Sequence, residues 1–314
     1  MGLAALQIES LAQRRRVSAE APGKINLLLD ILGPRPDGYH DIHSLAVGVG
    51  LSDRLTCTWP SRHGLTLECS DPTLHVDFNL ASRAALALAQ RKGIDAQVEI
   101  RLDKNIPVGA GMGGGSSDAA AALRLCDEIW NTRCSDAELV EVGAELGSDV
   151  PLFFHLPAVE VSGRGECVAP FPLKWRGFAL LIFAGFHVST SDVYKAWRPE
   201  DSAGDHAGTF SELHTIARAD HLHDRLRNQM EPALSRVCPR VRQAQEALST
   251  LGLPPTRVTG SGSAMFRLFD DPDQAHHAAK RIRENLKELQ VAVVPCPVDT
   301  FAIAHTFAPT HKES

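Results

Sequence analysis

The residues best suited to chemistry stand in one run, Pro107-Val108-Gly109-Ala110-Gly111-Met112-Gly113-Gly114-Gly115-Ser116-Ser117-Asp118. Five of the seven residues from 109 to 115 are glycine, so the backbone N–H groups there have no side chains to shield them. An apolar helix is predicted to start directly afterwards. Open N–H groups and the positive end of a helix together suit a polyphosphate. The hydroxyls of Ser116 and Ser117 add donors, or oxygen ligands for a phosphate-bound Mg²⁺. A flexible linker is the bland alternative, but linkers rarely run straight into a well-formed apolar helix. Three familiar phosphate loops do not fit. Walker A requires a lysine after the glycines, and none follows. Gly109 to Gly114 satisfies G-x-G-x-x-G, but Pro107 breaks the approaching strand, and Asp127-Glu128 lie inside the next helix rather than ending a second strand. A protein-kinase loop would carry Val where Ser116 stands, and neither H-R-D nor D-F-G follows.

Other polar residues stand out singly. Lys24 follows Pro22-Gly23 in an otherwise apolar segment, where a lone cation is costly unless paired or kept at the wet end. A snorkelling lysine fits the same pattern. Asp149 lies between the predicted helix ending at Gly147 and the apolar Pro151-Leu152-Phe153-Phe154. It reads as a carboxylate at a buried rim or as a turn aspartate. Tyr39, one of two tyrosines, and His40 occupy a Pro/Gly-rich loop. The ring suits stacking on a base and the imidazole suits its polar edge, while a lid over the core is the rival reading. His40-x-x-His43 and His221-x-His223 hint at metal, but no Cys or Glu spacing completes either site, and they read as solvent-facing histidines.

The loop pattern Pro-x-Gly-x-Gly-(Leu or Met)-Gly-Gly-Gly-Ser-Ser-Asp-Ala-Ala resembles the ATP-phosphate motif of the GHMP small-molecule kinases. Two further segments agree in order: Ala21-Pro22-Gly23-Lys24-Ile25-Asn26-Leu27 resembles the first family motif, and Val258-Thr259-Gly260-Ser261-Gly262-Ser263-Ala264 the third. Arg35-Pro36-Asp37-Gly38-Tyr39-His40, Gly147-Ser148-Asp149-Val150-Pro151 and Ser189-Thr190 with Val193-Tyr194-Lys195 are similar to a branch whose acceptor alcohol is joined to cytidine diphosphate. Met112, Ser148 and a longer polar N-terminus depart from the usual pattern. The resemblance implies ATP as co-substrate with Mg²⁺ and phosphoryl transfer to a small-molecule cytidine diphosphate substrate. It implies Asp149 as the catalytic carboxylate, paired with Lys24, which polarises the acceptor hydroxyl. It implies ATP contacts along residues 107–117, with Asn79 and Lys104 at the adenine pocket. Asn26 is implied near the acceptor phosphates, Tyr39, His40 and Tyr194 at the cytidine, and Thr190 in the same acceptor site. The fold implied is a two-domain α+β kinase, ribosomal-S5-like at the N-terminus and ferredoxin-like at the C-terminus, with ATP and acceptor meeting in the cleft between.

The elements that must hold these residues are partly visible in the pattern. Residues 17–32 suggest a strand pair broken at Ala21-Pro22-Gly23. Leu55, Cys57 and Trp59 alternate, as do Val98, Ile100 and Leu102, which predicts half-buried strands. Asn79 caps a helix that Gly93 stops, residues 119–130 form a strong helix, and Ser135-x-x-Glu138 is a capping box. Beyond about residue 175 the pattern restarts with a buried strand over 177–188 and a polar loop over 201–208. Helices are predicted at 222–236 and 240–251, then two short strands within 257–269, a helix at 272–289 and a strand at 291–294. Strands and helices mix without regular alternation, which favours α+β over a doubly wound sheet. The division expected is residues 1–175 and 176–314.

The 314 residues are 44% hydrophobic and 22% charged, an ordinary globular composition. A net charge of −6 argues against a general nucleic-acid binder. No apolar stretch is long enough to span a membrane. Arg14-Arg15-Arg16 follow the mildly apolar N-terminal piece, the reverse of a secretory signal. Seven scattered cysteines without a C-x-x-C pair are expected as reduced thiols, and the chain is expected in the cytoplasm.

Overall fold

The computed structural model describes residues 15–61, 63–74, 79–202, 210 and 212–307. The N-terminal run before Arg15 and most of the polar loop expected at 201–208 lie outside the described residues.

Strand β1 (Arg15–Pro34) runs antiparallel to β2 (His40–Trp59) along nearly the whole of both. The strand pair expected over 17–32 is therefore corrected to one long strand. Its irregularity at Pro22/Gly23 appears as a register shift, because a bulge accommodates a residue with no N–H to give the ladder. Next come β3 (Thr66–Cys69), α1 (Leu80–Lys92), β4 (Glu99–Asp103), α2 (Gly114–Trp130) and α3 (Asp136–Leu146). Asn79 caps α1 by accepting from Ala81 N at 2.9 Å, and Gly93 closes it in the left-handed region. Such a cap is worth about 1 kcal/mol. The Ser135/Glu138 capping box opens α3. The long helix α2 starts within the glycine run, earlier than the expected residue 119. After a 3₁₀ turn (Pro151–Phe154), β5 (Ala158–Gly163) and β6 (Cys167–Pro170) form a hairpin.

The later half holds β7 (Gly177–Phe183), α4 (Thr190–Ala196), α5 (Ala219–His223), β8 (Arg227–Asn228), α6 (Glu231–Val237), α7 (Pro239–Thr250), β9 (Arg257–Val258), β10 (Met265–Phe269), α8 (Pro272–Asn285), β11 (Gln290–Cys296) and β12 (Ile303–Phe307). The first sheet has the order β12-β1-β2-β4-β3, with β8 alongside β1, β5 alongside β2 and β6 alongside β5. The second sheet, β11-β7-β10-β9, is antiparallel throughout. Mixed, mostly antiparallel sheets with helices make the fold α+β, as expected.

Two expected elements are shorter or broken. The strand predicted over 177–188 ends at Phe183. The helix predicted over 222–236 is interrupted because Arg227-Asn228 joins β1 as a short parallel strand. Arg227 forks onto the fully buried Asp30 carboxylate at 2.6 and 2.5 Å, a tertiary demand that overrides local helix preference. Residues 21–31 of β1 are buried on both faces. Ala21, Leu29 and Ile31 pack with the helices α1 and α2, while Ile25 and Leu27 pack with Trp175, Leu181 and Phe266 of the second-sheet layer. Strand β1 thus lies between the two layers, and it carries Lys24 and Asn26.

Candidate active site

A cavity of about 920 Å³ opens between the glycine run, β1, the Asp149 turn and the N-terminal turn of α4. The loop is tied on both sides: Lys24 N donates to Met112 O at 2.9 Å, and Ala264 N donates to Ala110 O at 3.1 Å. Gly111 (φ +78°) passes so close to the third motif that a Cβ there would stand 2.4 Å from Thr259 O. Gly113 (φ +69°) is the N-cap of α2, and a Cβ there would meet the buried Phe153 ring at 2.9 Å. Replacing Gly113 would therefore disturb the fold before it disturbed a phosphate. Gly115 differs, since it lines the cavity and the nearest atom to an added Cβ is Leu80 Cδ1 at 3.6 Å. Gly115→Val is expected to keep the thermal midpoint near that of the parent and to raise the KM for ATP about tenfold, the worth of one hydrogen bond to a charged group. Steady-state kinetics with a melting curve check this, and an unchanged KM would deny the loop a phosphate-binding role.

Lys24 is 5% exposed and donates from Nζ to Asn26 Oδ1 at 2.6 Å and to Gly111 O at 2.9 Å. Burial lowers its pKa, and the negative charge of Asp149 partly restores it. The pairing expected between Lys24 and Asp149 is thus electrostatic only: among the described residues no ion pair within 4.0 Å joins them, because Asn26 and the loop carbonyl already hold the ammonium. Asn26 in turn gives its amide to Ser44 Oγ at 2.8 Å and its backbone N–H to Thr259 Oγ1 at 3.0 Å. It lines the cavity and organises Lys24 from the strand side.

Lys104 lines the same cavity, but its ammonium is taken by two carboxylates. Nζ contacts Asp53 Oδ2 and lies 2.7 Å from Asp118 Oδ2, all three side chains being nearly or fully buried. Asp53 also accepts from the backbone N–H groups of Asn105 at 2.5 Å and Ile106 at 2.8 Å, just before the loop begins. The trio therefore fastens the entrance of the loop to the first turns of α2. Burial lifts the Asp118 carboxyl above its ordinary value, more than the charge of Lys104 lowers it.

At the other end, His40 stacks on Tyr194 with ring centroids 5.1 Å apart and meets Trp197 edge-on. Burial holds the His40 imidazole below its usual pKa, which favours the neutral ring. Burial, with help from the charge of Asp149, pushes the Tyr194 hydroxyl up to about 12, so it remains a donor. Tyr39 is 53% exposed and lies under the guanidinium of Arg164, 5.2 Å from the ring centroid. Thr190 and Ser261 share a hydroxyl hydrogen bond of 2.8 Å that ties α4 to the third motif.

Nearly every residue singled out from the sequence meets at this cavity: Lys24, Asn26, Tyr39, His40, Asn79, Lys104, residues 107–116, Asp149, Thr190 and Tyr194. Ser117 does not, since its side chain is fully buried in α2 and its hydroxyl has no partner among the described residues. The histidine reading is corrected in part. His223 is 2% exposed, packed edge-on against Phe266, and burial followed by the charges of Arg267 and Arg257 drives its pKa down to about 3. His43 pairs with Glu160 at 2.6 Å and stacks on Phe210. The structure adds Asp53, Arg164, Lys195 and Ser261 to the residues around the site. Arg164 carried one local signal, its place between two glycines; Asp53 carried only a polar residue in an apolar alternation.

The chain is similar to known proteins over most of its length. The GHMP kinases N terminal domain family matches residues 79–155, and the GHMP kinases C terminal family matches residues 206–288. A 4-diphosphocytidyl-2-C-methyl-D-erythritol kinase of Brevibacillus brevis is 35% identical over 279 residues, covering 88% of this chain and 95% of that protein. One from Pelotomaculum thermopropionicum is 37% identical over 279 residues, covering 88% and 96%. A crystal structure of 4-(cytidine 5'-diphospho)-2C-methyl-D-erythritol kinase superposes with a TM-score of 0.74 at 33% identity, covering 88% of this chain and 98% of that one. Homoserine kinase from Cytophaga hutchinsonii, at 16% identity and a TM-score of 0.70 over 94% of this chain and 98% of that one, shares the fold.

Proposed function

Because the chain belongs to the GHMP kinase family, and within it to the 4-diphosphocytidyl-2-C-methyl-D-erythritol kinases, we propose how its residues divide the work of that reaction. The enzyme transfers the γ-phosphoryl group of ATP to the 2-hydroxyl of 4-diphosphocytidyl-2-C-methyl-D-erythritol, in the methylerythritol phosphate route to isoprenoid precursors. One observation supports the division most strongly: Lys24 and Asp149 open onto a single cavity with the glycine loop and the Tyr39–His40–Tyr194 group.

The glycine loop binds the triphosphate through backbone N–H groups and the start of α2. Asp149 accepts the proton of the attacking hydroxyl. Lys24, fixed by Asn26 and Gly111 O, polarises that hydroxyl and stabilises charge on the transferring group. Asn79 lines the adenine end and Lys104 shapes it through its two carboxylates. No three His, Cys, Asp or Glu side chains converge as a metal site among the described residues. The cavity does offer the Ser116 hydroxyl, and that suits Mg²⁺ carried mainly by nucleotide phosphates and needing one or two protein oxygens. Bound there, the ion supplies charge neutralisation for the phosphoryl group. The chain divides near residue 175 into two lobes that border this cavity, with β8 and β12 of the later half returning to the first sheet. No helix among the described residues is long and apolar enough to cross a membrane.

Tyr39, with His40 and Tyr194 beside it, receives the cytidine. Base stacking on an aromatic ring is worth about 1–3 kcal/mol, so Tyr39→Ala is expected to raise the KM for the acceptor by about ten- to a hundredfold. The KM for ATP is expected to stay near its original value. Equal losses for both substrates would instead make Tyr39 a lid.

A further inference from the structure

Four lysine and arginine side chains line the cavity: Lys24, Lys104, Arg164 and Lys195. The first two are committed to Asn26 and Gly111 O and to the Asp53/Asp118 pair. Among the described residues Arg164 makes no side-chain hydrogen bond and no ion pair within 4.0 Å; its guanidinium lies over the face of Tyr39 and acts electrostatically on the exposed Asp37 carboxylate. It sits at the tip of the β5–β6 hairpin, where its backbone N–H donates to Glu166 Oε2 at 2.8 Å. The next residue, Gly165, approaches the Asp149 turn so closely that a Cβ there would stand 3.2 Å from Ser148 Cβ and 3.6 Å from Asp149 Oδ1. The base of Arg164 is thus anchored beside the carboxylate, while its guanidinium lies over the aromatic end.

The acceptor has its parts in a fixed covalent order: base, ribose, diphosphate, polyol. With the base at Tyr39 and the reacting hydroxyl at Asp149, the diphosphate must pass between them, along the line Arg164 spans. We infer that Arg164 is a specificity-determining residue that binds the diphosphate of the acceptor. This rests on the acceptor assignment above. A planar guanidinium offers parallel N–H donors to phosphate oxygens, and neither the exposed Tyr39 ring nor the solvated Asp37 carboxylate takes those donors in a hydrogen bond among the described residues.

The test is calorimetric binding of cytidine, CMP, CDP and ATP to the full chain and to Arg164→Ala and Arg164→Lys. Arg164→Ala is expected to weaken CDP about ten- to a hundredfold and cytidine less than about twofold, the increment of one charge-assisted contact. ATP affinity stays unchanged, and Arg164→Lys recovers only part of the CDP affinity, because an ammonium keeps the charge but not the parallel donors. Equal weakening of cytidine and CDP would make Arg164 a support for the Tyr39 ring and overturn the inference. Unchanged CDP binding, or a loss shared by ATP, would overturn it as well. Failure of the parent protein to bind either CDP or cytidine would bring down the acceptor assignment itself, and the Arg164 role with it.

Discussion

Asp149→Asn is expected to lower kcat by about 10²–10⁴-fold, the usual worth of a positioned general base. The thermal midpoint and the KM for ATP are expected to stay close to those of the parent. Asparagine keeps the size of the side chain and removes its charge. Asp149 is half-buried at the cavity and makes no side-chain hydrogen bond or ion pair among the described residues, so folding does not lean on it. The glycine loop, the proposed ATP site, is anchored through Met112 O and Ala110 O rather than by Asp149. A folded variant with near-native turnover would remove Asp149 from the mechanism. A fall of only a few fold would leave it as the charge that tunes Lys24, since phosphoryl transfer draws heavily on positioning and electrostatics. Kinetics and a melting curve on one purified sample separate these outcomes.

The second large effect is expected at Lys24. Lys24→Met removes the preorganised cation proposed to act at the transferring group, a loss typically of about 10²–10³-fold in kcat. The same change relieves the burial of a charge, which offsets the two lost hydrogen bonds, so the midpoint near neutral pH is expected to move little. The pH dependence follows from the direction of the shift. Burial pulls Lys24 below the ordinary lysine value of 10.5, with Asp149 opposing. Between the lowered folded value and 10.5 the unfolded chain binds more protons than the folded one, so this group adds stability as pH rises through that window. Below the window the contribution is lost. The parent should therefore gain stability relative to Lys24→Met on the alkaline side, and its kcat should fall there as the ammonium loses its proton. Parallel stability curves for the two proteins would contradict the burial account of Lys24.

What the sequence made legible was local. Asn79 caps a helix whose acceptor bond reaches only two residues on, and Ser135 with Glu138 closes a box within three. The glycine run announced itself by composition, and the meeting of Lys24 and Asp149 at one cavity by motifs in order. What stayed hidden depends on partners far along the chain. Lys104 is held by carboxylates 51 and 14 residues away, and Lys24 by a carbonyl 87 residues away. Neither spacing has a periodic signature. Arg227-Asn228 read as helix because nothing nearby shows that Asp30, 197 residues distant, needs a guanidinium. His223 read as exposed because two histidines one residue apart look polar, yet α5 turns one of them onto Phe266.

The most direct measurement of the central claim is ADP release by the purified protein with ATP and Mg²⁺, offered 4-diphosphocytidyl-2-C-methyl-D-erythritol beside mevalonate, homoserine and galactose. The diphosphocytidyl acceptor alone is expected to drive turnover, with one phosphate appearing on its 2-hydroxyl for each ADP released. Turnover of mevalonate, homoserine or galactose in its place, or ADP release no faster with the acceptor than with water, would contradict it.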